Sequence, residues 1–344
     1  MKRLRVGIVG SSFGGMVHAP AFAAQGRFEV VALASPSNAR SIARERNIPH
    51  AFASTAAMLE GVELDVVSVA SPPFDHHDSV MAALARGKHV LCEKPFALTV
   101  PEAEAMAAAA ARAGTVCALA HEFRYVPERI AVRELIENGH LGALRQIEVN
   151  VFATRLRADA ERAKSWWFEK RLGGGLAGAI LSHLIDQANW LAGRYPLGST
   201  GYLRTANPER HYQGTTFHSD VDDGAFALLD YGSGLVACVA ADATHVTDSA
   251  LLAVHGEART AVASGPNMIE VKLFTVEEEE TAELEVTAAK HASLASAHGN
   301  LPPFVALLDE FANAVDSKPA AYPTFEDGLA TQRVLASLGY GAAS

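Results

Sequence analysis

Hydrophobic positions in the first third of the chain alternate between short continuous runs and longer stretches with helical spacing. Continuous apolar runs predict buried strands, whereas apolar residues at every third or fourth position predict helices. The predicted strands cover residues 4–9, 28–34, 64–70, 89–92 and 116–120. The predicted helices cover residues 16–25, 39–46, 78–86 and 102–113. This alternation is typical of successive βαβ units, which build an α/β domain with a parallel sheet of the Rossmann type.

Beyond about residue 125 the pattern changes to strands with one apolar face, joined by short polar turns. The predicted strands there are 144–153, 225–231, 235–241 and 251–255, and the predicted helices are 127–138, 176–191, 304–315 and one that opens with Thr324 and Asp327. Such a pattern predicts an α+β domain with an open, mostly antiparallel sheet. We expect a first domain at 1–122 and a second at 123–344, with the terminal helices packing back on the first.

Composition narrows the class of protein. A chain of 344 residues, 49% hydrophobic and 20% charged, is long enough for two globular domains. The net charge of -10 argues against nucleic-acid binding. No stretch approaches the roughly 20 apolar residues of a membrane span. The three cysteines, Cys92, Cys117 and Cys238, lack metal-binding spacing, which favours reduced thiols and a soluble, cytoplasmic protein.

A glycine-rich turn follows the first predicted strand. It reads Gly10-Ser11-Ser12-Phe13-Gly14-Gly15 and lies where a dinucleotide-binding turn belongs. Small residues at this point let backbone N–H groups and the helix N-terminus approach a pyrophosphate. Ser12 replaces the second glycine of the usual pattern, yet serine still permits a close approach and donates a hydrogen bond. The alternative is a tight strand–helix turn without a ligand.

The end of the second predicted strand bears on NAD versus NADP. An acidic residue there binds the ribose 2′-hydroxyl and repels a 2′-phosphate. Here the segment carries Ser35, Ser37, Asn38 and Arg40 and no carboxylate. Ser35, Ser37 and Arg40 suit a 2′-phosphate, so we expect NADP to be preferred, with NAD as the alternative. Ser37 or Asn38 also suits the N-cap of the following helix.

Several motifs resemble the Gfo/Idh/MocA family of oxidoreductases. The segments that carry the resemblance are Ser71-Pro72-Pro73-x-x-His76, Gly87 to Pro95 (GKHVLCEKP), Phe123-Arg124-Tyr125 with Pro127, and Gly173-Gly174-Gly175 leading to His183 and Asp186. The resemblance covers nearly the whole chain. It implies a Rossmann domain that binds NAD(P), hydride transfer at a sugar or cyclitol hydroxyl, and a second domain that forms a homodimer or homotetramer.

The resemblance also assigns roles to particular residues. Lys94 matches the family's catalytic lysine, and His183 matches the histidine on the substrate-domain helix. Glu93 and His76 match positions beside the nicotinamide and its ribose, and Ser71 and Pro72 belong to the same cofactor-binding edge. Many members carry an aspartate four residues before the histidine, whereas this chain has Ala179 there.

Oxidation of a secondary alcohol needs a base for the hydroxyl proton, and reduction needs an acid. Lys94 suits this proton shuttle. Alternatively, His183 is the base and Lys94 stabilises charge, with Asp186 as the candidate that orients His183. The alternatives without a catalytic role are that Lys94 is a solvated surface lysine and that His183 is a hydrogen-bonded histidine of the core. We expect no metal site, because His76 and His77 are adjacent and no spaced third ligand follows.

Candidate substrate contacts are Arg124, Tyr125, Trp167 and Asp186. Trp167 suits the floor of a sugar site or a subunit contact equally, and Arg124 and Tyr125 either line a cleft or tie the domains together.

Three functions remain open: a sugar or cyclitol dehydrogenase or reductase, an NAD(P)-assisted glycosidase or lyase with transient oxidation, and a non-catalytic nucleotide-binding regulator. Ala179 favours the regulator, whereas Lys94 and His183 favour an enzyme, and fold alone does not decide between them.

Overall fold

The computed structural model describes residues 2–277 and 280–341, which form two compact units. Unit 1 comprises the described residues up to Glu122 together with Ala289–Gln332. Unit 2 comprises the described residues of Phe123–Ala288 and those from Arg333 onward. The chain therefore leaves unit 1 after Glu122, returns to it at Ala289 and passes back into unit 2 at Arg333.

Unit 1 is built on a parallel sheet. Its strands are β1 (Leu4–Val9), β2 (Phe28–Ala34), β3 (His50–Phe52), β4 (Val66–Val69), β5 (His89–Cys92) and β6 (Cys117–Leu119). Within the described residues these six strands run in the order β3-β2-β1-β4-β5-β6, and all neighbours are parallel. The central strand β4 is buried throughout, which explains its continuous apolar run.

Helices alternate with these strands. They are α1 (Ala19–Gln25), α2 (Ala39–Glu45), α3 (Thr55–Gly61), α4 (Pro73–Leu84) and α5 (Val100–Ala113). A π-helical turn, Gly14–His18, leads directly into α1. Thr99 and Glu102 form a capping box at the start of α5, and Gly114 ends that helix in the left-handed conformation.

Unit 2 contains helices on a mixed sheet. The helices are α6 (Pro127–Glu137) and α7 (Ser182–Ala192), and a π-helical turn, Ala177–Leu181, precedes α7. The strands are β7 (Leu144–Phe152), β8 (Gly198–Arg204), β9 (Glu209–Tyr212), β10 (Thr215–His218), β11 (Gly224–Asp230), β12 (Val236–Asp242), β13 (Ser249–Gly256), β14 (Thr260–Gly265), β15 (Lys272–Glu277) and β16 (Glu280–Leu284).

The main sheet of unit 2 has the order β16-β15-β14-β13-β7-β12-β11-β8. Strands β7 and β12 pair in parallel, and the other neighbours are antiparallel. Helix α7 packs on β7 and β12, so the middle of the sheet is covered by its most buried helix. Strands β9 and β10 form a separate hairpin.

Two helices complete the chain. Helix α8 (Leu301–Val315) belongs to unit 1, and α9 (Phe325–Ser337) contributes to unit 1 up to Gln332 and to unit 2 from Arg333. Thr324 and Asp327 exchange hydrogen bonds at the start of α9, as the capping pattern predicts.

The predicted fold class is confirmed: a parallel Rossmann-type sheet is followed by a mostly antiparallel sheet with helices. In the part of the chain that the structure describes, no helix combines the length and apolar character that crossing a membrane requires.

Candidate active site

The glycine turn lies at the carboxyl end of β1, beside β4, where the strand order of the unit 1 sheet reverses. Ligands of open α/β sheets bind at this edge. Gly10 has a φ of +100°, and its N–H donates to the carbonyl of Ala34 at 2.9 Å. A Cβ at Gly10 would lie 2.3 Å from the carbonyl oxygen of Ala70. Both the backbone conformation and the close approach of two strand ends therefore require glycine.

The first helical turn after β1 follows the glycine turn at the carboxyl end of the strand. The N–H of Gly15 donates to Ser11 at 3.2 Å and that of Met16 to Ser12 at 2.9 Å. The N–H groups that precede these first helical bonds have no partner within a helix and are free to bind an anion. Gly14 packs close to Ile8, where a Cβ would lie 2.8 Å from Cγ2, and Phe13 packs its ring 5.6 Å from the His18 ring. Ser12 is exposed.

Asn38 organises the end of β2, a role that the sequence analysis missed. Its Oδ1 accepts hydrogen bonds from the hydroxyls of Ser11 at 2.6 Å, Ser35 at 3.0 Å and Ser37 at 3.1 Å. Asn38 occupies the N-cap position of α2, but its side chain makes no capping hydrogen bond. Ser11 and Ser35 are also 3.1 Å apart, so the glycine turn and the end of β2 form one polar cluster. Arg40 is exposed on α2.

Ser71, Pro72 and His76 follow β4. The hydroxyl oxygen of Ser71 is enclosed and makes no hydrogen bond within the described residues. Pro72 occupies the N-cap position of α4. His76 is fully buried, with Nε2 2.8 Å from the carbonyl of Ser71 and Nδ1 3.0 Å from that of Pro95. His76 therefore bridges the ends of β4 and β5, and burial lowers its pKa.

Glu93 and Lys94 follow β5. The Glu93 carboxylate lies 3.0 Å from His18 Nε2 and accepts from the backbone N–H of Lys94 at 3.1 Å. His18 also contacts Ser68 through Nδ1 at 2.7 Å. Burial acts to raise the pKa of Glu93, but the His18 hydrogen bond and the positive charge of Lys94 outweigh it, and the pKa is lowered. The Lys94 side chain is half-buried, and the Lys94–Pro95 peptide bond is cis.

The sequence analysis did not identify His18. Its partners lie 50 and 75 residues away in the chain, so neither contact leaves a local spacing signal.

In unit 2, His183 lies on α7 and is 4% exposed, with its ring 4.4 Å from the ring of Phe123. Arg124 donates to both oxygens of Asp186, from Nε at 2.8 Å and from Nη2 at 2.5 Å. Arg124 and Asp186, two of the four candidate substrate contacts, are therefore hydrogen-bonded to each other.

The other two candidates lie in short 3₁₀ turns. Tyr125 is half-buried at the end of Glu122–Tyr125. Trp167 is half-buried in Trp166–Phe168, and the Arg162 guanidinium lies 4.6 Å from the centre of its ring. The carbonyl of Trp167 would be 2.1 Å from a Cβ at Gly174, so the triple glycine permits this backbone approach.

Comparison with known proteins agrees with this description. The family model described as "Oxidoreductase family, NAD-binding Rossmann fold" matches residues 4–121, and that described as "Oxidoreductase family, C-terminal alpha/beta domain" matches residues 133–338. Levoglucosan dehydrogenase of Pseudarthrobacter phenanthrenivorans is 29% identical over 266 residues, covering 70% of this chain and 68% of that protein. Rhizopine catabolism protein MocA of Rhizobium meliloti is 30% identical over 240 residues, covering 67% of this chain and 72% of that protein.

A solved structure shares the fold. Levoglucosan dehydrogenase in complex with NADH superposes with a TM-score of 0.86 at 24% identity, covering 99% of this chain and 97% of that one.

Proposed function

The chain belongs to the Gfo/Idh/MocA oxidoreductase family, and from that premise we propose that it transfers hydride between NAD(P) and a secondary alcohol or ketone of a sugar, cyclitol or related polyol. The observation that carries this proposal is the carboxyl edge of the unit 1 sheet. There the glycine turn, the enclosed Ser71 hydroxyl and the Glu93–Lys94 pair follow β1, β4 and β5, which are neighbours in the sheet.

These residues fit a dinucleotide. Gly10 tolerates no side chain, the helix start offers backbone donors, and Ser71 holds a hydroxyl without a partner among the described residues. When bound, the nicotinamide supplies the two-electron hydride donor or acceptor. We propose that Gly10 to Gly14 hold the pyrophosphate and that Ser35 and Arg40 hold a 2′-phosphate, which makes NADP the preferred cofactor.

Lys94 is our proposed acid–base group. In oxidation its amine takes the proton of the substrate hydroxyl, and in reduction its ammonium returns it. Glu93 stays ionised and fixes the backbone of Lys94 through their 3.1 Å hydrogen bond. His76, with its nitrogens on backbone carbonyls, holds the turn that carries Lys94. We propose His183 as the second proton-handling residue, and Trp167 and Tyr125 as contacts for an apolar sugar face.

The names of two relatives, levoglucosan dehydrogenase and rhizopine catabolism protein MocA, support a carbohydrate-like substrate. We propose that residues 1–122 form the cofactor domain and that 123–344, of which Ala289–Gln332 belongs to unit 1, form the substrate domain and assemble a homodimer or homotetramer in the cytoplasm. Light scattering of the purified protein tests the assembly.

Calorimetric titration with NADP⁺ and with NAD⁺ tests cofactor binding. We expect tighter binding of NADP⁺ and a loss of that preference in Arg40→Ala. Arg44→Ala is the matched control, because Arg44 is also exposed and lies one turn further along α2. Absence of binding by either nucleotide refutes the oxidoreductase proposal, and an unchanged preference in Arg40→Ala refutes the role of Arg40.

A screen of sugars, anhydrosugars and cyclitols for net formation of NAD(P)H tests catalysis. We expect Lys94→Ala to lower kcat by at least about 100-fold, the usual contribution of a general acid or base. Lys88→Ala is the control, because Lys88 directly precedes β5 at the opposite edge of the sheet. Product formation without net NAD(P)H would instead support transient oxidation.

A further inference from the structure

A second buried carboxyl group lies at the same sheet edge as Lys94. Glu122 follows β6, the neighbour of β5, and is 1% exposed. Its Oε1 accepts a hydrogen bond from Asn300 Nδ2 at 3.2 Å, and Asn300 is the N-cap residue of α8. Its Oε2 is enclosed and has no hydrogen-bond partner within the described residues.

An ionised carboxylate at this place would be poorly stabilised. One oxygen would have no donor and no contact with solvent, and burial of an unpaired charge costs several kcal/mol. Glu122 makes no ion pair with any residue that the structure describes. A proton on the carboxyl group removes the unpaired charge.

The hydrogen-bond donors at this edge divide between two acids. Glu93 receives the His18 contact and the Lys94 backbone hydrogen bond, whereas the side-chain donor to Glu122 is Asn300. Burial and the negative charge of Glu93 together raise the pKa of Glu122 to about 8, although Lys94, the backbone of Glu122 and Asn300 act in the opposite direction. Two neighbouring acids whose surroundings separate their protonation states are typical of acid–base sites.

We propose that Glu122 is a positioning residue that holds a proton and thereby sets the proton affinity of Lys94. While Glu122 is neutral, the Lys94 ammonium lacks one negative neighbour and releases its proton more readily. When Glu122 ionises, its negative charge stabilises the Lys94 ammonium, and Lys94 becomes a poorer base. The proton lost by Glu122 goes to solvent, and no other bond is formed or broken. This proposal rests on the proposed function only in treating Lys94 as its base.

Infrared spectroscopy of the whole protein tests the proton on Glu122 without turnover. At pH 6 the wild type is expected to show the carbonyl stretch of a protonated carboxylic acid, which Glu122→Gln removes and which disappears as the pH rises through about 8. Asp222 is a second buried acid whose pKa burial raises, to about 7, so Asp222→Asn identifies its separate contribution. A spectrum in which Glu122→Gln removes no such band overturns the proposal.

Competitive labelling tests the effect on Lys94. A trace of acylating reagent is applied across the pH range, and mass spectrometry compares Lys94 with Lys88 in the same sample. We expect the midpoint for Lys94 to fall by about one pH unit in Glu122→Gln, equivalent to about tenfold in proton affinity, with Lys88 unchanged. Glu122→Leu also lacks a charge and must shift the midpoint in the same direction.

Equal Lys94 midpoints in the wild type and both variants overturn the proposal and leave Glu122 a structural residue. Neither readout needs cofactor or substrate. A failure of the proposal for Glu122 is therefore distinct from an absence of NAD(P) binding or dehydrogenase activity.

Discussion

Replacing Asp186 by asparagine is expected to destabilise unit 2 by about 3–5 kcal/mol, the usual cost of breaking a buried ion pair. Arg124 donates to both Asp186 oxygens, and the two side chains are 10% and 2% exposed. Asparagine keeps the size of Asp186 but removes its charge, so the buried guanidinium loses the negative charge of this partner and one of its two carboxylate acceptors. For a unit of this size the loss corresponds to a fall in Tm of roughly 10 °C.

Urea unfolding followed by far-UV circular dichroism, with thermal melts alongside, measures the change. Asp159→Asn is the matched control, because Arg157 and Asp159 form an ion pair whose side chains are 38% and 70% exposed. Exposed pairs contribute about 0–1 kcal/mol. The double variant Arg124→Met/Asp186→Leu should recover most of the stability, since it removes both charges of the pair. If Asp186→Asn costs no more than Asp159→Asn, the Arg124–Asp186 pair does not stabilise unit 2.

Three further variants test other parts of the molecule. Gly10→Ala should unfold at lower temperature and lose affinity for NAD(P), because its Cβ would lie 2.3 Å from the Ala70 carbonyl oxygen. Gly26 also has a positive φ, but a Cβ there would have nothing within 4 Å, so Gly26→Ala should lower stability by only about 1 kcal/mol in thermal melts. Burial raises the pKa of Glu122 from 4.5 to about 8, so the wild-type fold loses stability as the pH rises across that interval. Glutamine does not titrate, so the stability of Glu122→Gln relative to the wild type should increase over the same interval. The gain should reach roughly 3 kcal/mol at pH 7 and vanish near pH 4, and urea titrations that show no pH dependence would contradict it. Arg129→Met should raise the free energy of unfolding by about 1–4 kcal/mol, since Arg129 is 2% exposed and its Nε and Nη1 have no hydrogen-bond partner within the described residues. A loss of stability in urea unfolding would show that the buried charge is compensated.

The strands that the sequence predicts best are those buried on both faces. The predicted bounds of β1, β2 and β5 equal the observed ones, because central parallel strands are continuous apolar runs. Strand β3 was missed: it has three residues, none fully buried, so it produces neither a run nor an alternation. Helix α4 begins at Pro73, five residues before the prediction, because proline is favoured in the first turn of a helix and does not end it there.

In unit 2 the sequence analysis missed six strands: β8, β9, β10, β14, β15 and β16. Strands β8 and β16 expose most of their residues, so their apolar positions carry no period of two. The described sheet therefore extends beyond the part that hydrophobic patterning predicts.

The candidate site was predictable where chemistry is tied to a strand end. Gly10 is the first residue after β1 and Lys94 the second after β5, so their place at the carboxyl edge follows from the strand pattern alone. The contacts of His18 with Ser68 and Glu93, and those of Asn38 with Ser11 and Ser35, join separate elements. Side-chain hydrogen bonds of that kind depend on how the elements pack, which local sequence does not encode.

The distribution of acids at this edge also bears on whether the chain is an enzyme or a nucleotide-binding regulator. Ala179, in the π-helical turn before α7, takes the place of the aspartate that the family resemblance leads one to expect, and a regulator would have no need of that carboxylate. Yet unit 1 buries two carboxyl groups near Lys94, one ionised and paired with His18, the other with an enclosed oxygen that nothing in the described residues satisfies. Burying Glu122 costs stability, and backbone donors alone would suffice to bind a dinucleotide. The charge of Glu122 acts on Lys94, which is useful if Lys94 exchanges protons with a substrate. This edge of the sheet therefore favours an enzyme over a regulator despite Ala179.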